Sequence, residues 1–118
     1  KLRNDQMEYY YDQLSDCNQI SLRKFASWCE PVHWLTTISL DKKYSRDKLI
    51  SYMKSKEIDT RQMINPVHYA EHFVDKYKKM SFDYSTSISR SSLHLPSGLA
   101  LKNKEIDYIV NSLKSFFE

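Results

Sequence analysis

Two cysteines, Cys17 and Cys29, are all that 118 residues contain, too few and too irregularly set for a disulfide framework or for a zinc site, which needs four ligands. Their scarcity fits a reducing, cytoplasmic setting. No run is long and apolar enough to span a bilayer, and Lys1-Leu2-Arg3-Asn4-Asp5 passes into a polar amphipathic segment without the apolar core of a signal peptide. No membrane span and no export are therefore expected. Charge of one sign is missing as well: the net charge is +3, with acids interspersed among the bases. Nucleic acid is thus not implied, and the small clusters Lys42-Lys43 and Lys76, Lys78, Lys79 read as solvated surface. Repeats and low-complexity linkers are absent, so no domain boundary is expected inside the chain.

What remains suits one compact domain. The apolar fraction is 41%, with nine Tyr, five Phe and two Trp, which is enough large side chains for a core beside 28% charged residues. Residue 1 is Lys and a helical pattern starts almost at once, which reads as a segment of something longer.

Met7, Tyr10, Tyr11 and Leu14 recur at helical spacing and predict a helix over 3–15. Ile20 to Trp28 has room for a short strand. From Val32 to Leu40, Trp34, Thr36, Ile38 and Leu40 alternate with Leu35, Thr37 and Ser39, the pattern of a strand. Ser45 can cap a following helix with Leu49, Ile50 and Met53 as its buried stripe. A second strand is predicted over Ile58–Ile64, ended by Pro66, with Ile58, Thr60, Gln62 and Ile64 on one face. A short helical turn follows through Phe73, and Phe82–Ser91 gives at most a short helix. Leu93 to Gly98 reads as a turn with apolar anchors, carrying the sole glycine. Ile106, Ile109, Val110, Leu113 and Phe117 predict a last helix, with Asn103 as its cap.

Three stretches in this order carry a resemblance. Trp34-Leu35-Thr36-Thr37-Ile38 precedes Ser45-Arg46-Asp47-Lys48-Leu49-Ile50; Ile58-Asp59-Thr60-Arg61 leads to Asn65-Pro66-Val67-His68; Leu93-His94-Leu95-Pro96-Ser97-Gly98-Leu99 is followed by Glu105-Ile106-Asp107-Tyr108-Ile109-Val110. Together they resemble the C-terminal small domain of DegT/DnrJ/StrS sugar aminotransferases. The chain departs from that pattern at Glu57, where relatives usually have Gly, and at Gln62, where proline often follows the Arg.

The resemblance implies an α+β fold: a small, mainly antiparallel sheet packed with helices, the small domain of the aspartate-aminotransferase (fold type I) superfamily. Spacing alone equally allows a parallel crossover. Residues 1–118 would then form a single domain of a longer enzyme whose catalytic large domain is absent from this sequence. The implied parent is a pyridoxal-phosphate enzyme, perosamine-synthase-like, working as a homodimer and moving an amino group from glutamate to a keto nucleotide-sugar for surface polysaccharide. The reactive lysine and most cofactor ligands would lie in the large domain, so the fragment itself is expected to be inactive, closing one side of the active site.

Substrate-side candidates follow from the same motif. Arg61 can grip a carboxylate or diphosphate with paired hydrogen bonds, or simply pair with Asp59 or Glu57. His68, after the rigid Pro66, is a candidate substrate contact, with Asn65 and Tyr69 beside it. His33, His72 and His94 lack the spacing of a metal site. Trp34 and Tyr10 are read as packing, and the Leu95-Pro96-Ser97-Gly98 turn as a brace for the last helix. The alternative is a stand-alone, non-catalytic α+β interaction module; within the family, dehydratase or regulatory relatives also remain open.

Overall fold

The computed structural model describes residues 2–118. Helix α1 runs Leu2–Leu14, strand β1 Ile20–Leu22, β2 Thr36–Leu40, helix α2 Arg46–Ser55, and β3 Arg61–Gln62. After a 3-10 turn at Val67–Tyr69 come α3 (Glu71–Tyr77), α4 (Asp83–Ser91), β4 (Ser92–Leu95) and α5 (Asn103–Ser115). The sheet has four strands in the order β1-β2-β4-β3, and every pairing is antiparallel. The resemblance implied that arrangement; spacing had left it open.

Register divides the sheet into two chemically different faces, because successive residues of a strand point to opposite sides. Ile38 stands opposite Leu93 and Thr36 opposite Leu95, so the apolar alternation of both strands falls on one face. That face is covered by Tyr10 and Leu14 of α1, Leu49 and Met53 of α2, and Ile106, Ile109, Val110 and Leu113 of α5, which close one core. Each such aliphatic side chain contributes ~1.5–3 kcal/mol through removal from water. The other face is polar. Thr37 Oγ1 and His94 Nδ1 lie 2.9 Å apart, and Ser39 Oγ and Ser92 Oγ 2.7 Å apart.

Helix α2 is bounded by its sequence at both ends. Ser45 Oγ accepts from the Lys48 amide at the start. At the other end Glu57 adopts φ 60°, the amide of Glu57 donates to the Lys54 carbonyl, and the amide of Ile58 donates to that of Met53. These two bonds make a Schellman motif, and Ile58 and Met53 are both buried in the core. A left-handed residue there is why glycine suits the position.

Four expectations need correction. Leu93–Leu95 is no turn but most of β4, a central strand buried at all four residues; its shortness and the following Pro96-Ser97-Gly98 disguised it. The strand predicted over Ile58–Ile64 shrinks to Arg61–Gln62: in the antiparallel register Ile64 falls beyond the start of β4 at Ser92, and Ile58 and Asp59 fall beyond its end at Leu95. Accordingly Ile58 and Thr60 are buried while Gln62 and Ile64 are exposed. Trp34 does not pack: it precedes the first paired residue of β2 and is 65% exposed, whereas Tyr10 is fully buried. Finally, the cap of α5 is Lys102, whose amide donates to Glu105 Oε2 at 2.7 Å, and Asn103 is the first helical residue.

The turn after β4 is expected to brace the last helix, but its long-range hydrogen bonds run instead to β2 and α1. Ser97 Oγ accepts from the Thr36 amide, Pro96 O from the Tyr10 hydroxyl, and Gly98 O from the Gln6 side chain. By contrast, Val67–Tyr69 and α3 have no buried residue, and α4 only Ser89. This arm is held by its own aromatic cluster, with His68 stacked on Phe82 at 4.4 Å, and by Arg46 Nη1 donating to Ser89 O at 2.6 Å.

Candidate active-site cleft

At the end of β4 the sheet opens beside α5. Because β3 pairs for only two residues, the chain from Lys56 to Asp59 runs clear of β4 and leaves a cleft of roughly 890 Å³. Its floor is Ile58, Leu95 and Ile109; Trp34 and Tyr108 form aromatic walls, and Arg3, Lys56, Arg61 and Lys104 bring positive charge. The size suits a small-molecule site, commonly ~300–1,000 Å³.

The charges are unevenly used. Arg3 Nη1 donates to Trp34 O at 2.6 Å, and Lys56 Nζ sits 5.5 Å above the Tyr52 ring. Of the acids, Glu105 is engaged by the Lys102 amide. Glu57 and Asp59 line the cleft but neither pairs with Arg61: among the described residues, Arg61 and Lys104 form no ion pair within 4.0 Å. A free guanidinium beside an apolar floor is suited to bidentate capture of a carboxylate or phosphate.

The four residues singled out in the sequence do not share one hollow. Arg61 lines the large cleft. His68 and Tyr69 line a smaller one of about 300 Å³, with Tyr77, Phe82 and Thr86, where His68 Nε2 lies 3.4 Å from Thr86 Oγ1. Asn65 is exposed and lines neither.

His94 was weighed in the sequence only as a metal ligand. In the fold it is 6% exposed, forms part of the large cleft's wall, and stands directly opposite Arg61 in the β3–β4 register. Its Nδ1 meets Thr37, whereas Nε2 is buried without a partner among the described residues. Burial pushes its pKa below the ordinary 6.5. The alternation Leu93-His94-Leu95 was the available signal: a polar residue between two apolar ones belongs to a strand with one polar face. Among the described residues no three His, Cys, Asp or Glu side chains gather as for a metal ion.

The described lysines do not fit the attachment point of pyridoxal phosphate, which needs a desolvated amine of lowered pKa. All are exposed except Lys114, which is half-buried and paired to Asp16 at 2.6 Å.

A helix-covered antiparallel sheet thus carries a charged cleft at its open end. Residues 1–114 match the DegT/DnrJ/EryC1/StrS aminotransferase family, and the chain belongs to that family. It is 27% identical over 119 residues to the GDP-perosamine synthase of Vibrio cholerae, an alignment that takes in 99% of this chain and 32% of that one. Among solved structures, the fold is similar to DesV of S. venezuelae in complex with a ketimine intermediate (TM-score 0.86, 24% identity, 98% of this chain and 31% of that chain). It is also similar to the E. coli GDP-4-keto-6-deoxy-D-mannose-3-dehydratase with bound hydrated PLP (TM-score 0.76, 18% identity, 95% and 30%). The chain thus spans about a third of the length of these relatives. No helix among the described residues is long and apolar enough to cross a membrane.

Proposed function

We propose that this chain supplies one wall of the active site of a pyridoxal-phosphate aminotransferase that moves an amino group from glutamate to a keto nucleotide-sugar. The observation that carries the reading is the family match over residues 1–114 together with a cleft whose unpaired Arg61 comes from the matching motif. The similarity to GDP-perosamine synthase supports a nucleotide-sugar as substrate.

When bound, pyridoxal phosphate acts as the electron sink for amino-group transfer. With no described lysine fit to carry it, the reactive amine belongs to the other part of the parent, and this chain is inert alone. Its own residues orient the substrate. Arg61 holds an anionic group, the apolar floor of Ile58, Leu95 and Ile109 keeps water from it, and His68, Tyr69 and Asn65 contact substrate from the neighbouring arm. A homodimeric, cytoplasmic enzyme serving surface polysaccharide synthesis is the setting this reading gives.

The dehydratase likeness in fold supplies a second reading with the same cofactor and substrate class. A chimera separates the two. This chain replaces the matching third of the Vibrio cholerae GDP-perosamine synthase, and amino transfer from glutamate to the keto nucleotide-sugar is measured. Aminated sugar supports the proposal; deoxygenated sugar favours the dehydratase. A folded, cofactor-loaded chimera that does neither supports the stand-alone module.

A further inference from the structure

Two features meet in the large cleft, and the family resemblance singles out only the second. The first is His94 Nε2, a buried polar atom without a partner among the described residues. Leaving such a group unpaired costs about 1–3 kcal/mol, a cost that natural proteins retain where a partner arrives later. The second is Arg61, its cross-strand neighbour, exposed and without an ion pair among the described residues. Residues directly opposite on one face of an antiparallel pair place their Cβ atoms about 4.5–5.5 Å apart, so both side chains can reach one small ligand group.

The geometry points to an oxyanion subsite in which His94 Nε2 and Arg61 together hold one phosphate of a diphosphate. It rests on reading the cleft as part of a nucleotide-sugar site. The Thr37–Nδ1 contact allows either ring tautomer; in the one the subsite uses, the Thr37 hydroxyl donates to Nδ1 and the neutral ring carries its proton on Nε2, which needs an acceptor oxygen. Nε2 is closed off from solvent, so an oxygen reaches it only when a neighbouring cleft side chain yields. Arg61 is the neighbour able to change rotamer, and taking the same oxyanion is what moves it. The guanidinium supplies the charge and the imidazole fixes the position. Trp34 and Tyr108, exposed on the same cleft, leave space for the rest of a nucleotide.

The test follows the His94 ring nitrogens by NMR in the 15N-labelled 118-residue chain during titration with inorganic pyrophosphate, with GDP, and with glutamate. Pyrophosphate and GDP are expected to move the Nε2 resonance saturably, and glutamate is not. Equal affinities identify the diphosphate alone as the recognised group, whereas GDP binding about tenfold tighter adds the nucleoside. His94→Leu and Arg61→Gln should each weaken pyrophosphate about tenfold or more, the loss expected for a hydrogen bond to a charged group, and Arg61→Lys should restore part of it. A ring that stays silent at saturating pyrophosphate overturns the subsite, as does a response to glutamate alone. The wild-type titration decides even where a variant fails to fold. The chimera reports separately: amino transfer with a silent ring rejects only the subsite, and a responsive ring with an inactive chimera rejects only the enzymatic reading.

Discussion

The hydroxyl of Tyr10, in the middle of α1, donates to the carbonyl of Pro96 at 2.9 Å, joining residues 86 apart in sequence. The ring is fully buried, and burial raises the phenol's pKa well above its ordinary value. Tyr10→Phe keeps the packing and removes the bond, so urea unfolding should show a loss of about 1 kcal/mol. Tyr10→Ala opens a cavity as well and should cost ~3–5 kcal/mol.

Glu57 pays the conformational cost of a left-handed residue at the end of α2. Glycine removes that cost, about 1 kcal/mol, although it also frees the unfolded chain. Glu57→Gly should therefore raise the denaturation midpoint modestly, and Glu57→Val, β-branched, should lower it.

Stability should respond to pH through His94. Its folded pKa is depressed by burial, so the unfolded state binds the proton more readily. The contribution is complete above the ordinary value of 6.5 and is lost as pH falls below it towards the folded pKa. Thermal unfolding of the wild type should decline across that window more steeply than that of His94→Leu. Equal slopes would show that the ring does not resist protonation.

How much of this was legible in the sequence depended on how far local pattern and packing agree. Helices α1 and α5 were readable because their apolar residues repeat at helical spacing over several turns, and β2 because Thr36, Ile38 and Leu40 alternate cleanly. β4 was hidden because four residues in the middle of a sheet, flanked by a helix and a Pro-Ser-Gly turn, give too short a pattern to recognise. Arg61 was found through its motif, while its partner across the strand was not, since pairing is a tertiary fact. Trp34 was misread for a similar reason: alternation continues past the point where the ladder ends.

The arm from the 3-10 turn through α4 should open before the rest. It buries only Ser89 and adds nothing to the core cluster, so its amides lack the protection of packed elements. Hydrogen exchange should find α3 and α4 exchanging at least tenfold faster than α5 and β2, a gap of about 1.4 kcal/mol or more in local stability. Exchange at one common rate would make the arm part of the same cooperative unit.

The central claim is that reactive carbonyl chemistry lies in the remainder of the parent and not among these residues. Its most direct test is to incubate the purified 118-residue chain with pyridoxal phosphate at stoichiometric concentration, reduce with borohydride, and locate any adduct by peptide mass spectrometry. Only scattered, substoichiometric labelling of surface lysines is predicted. One lysine labelled to completion, with glutamate abolishing the label, would contradict the account.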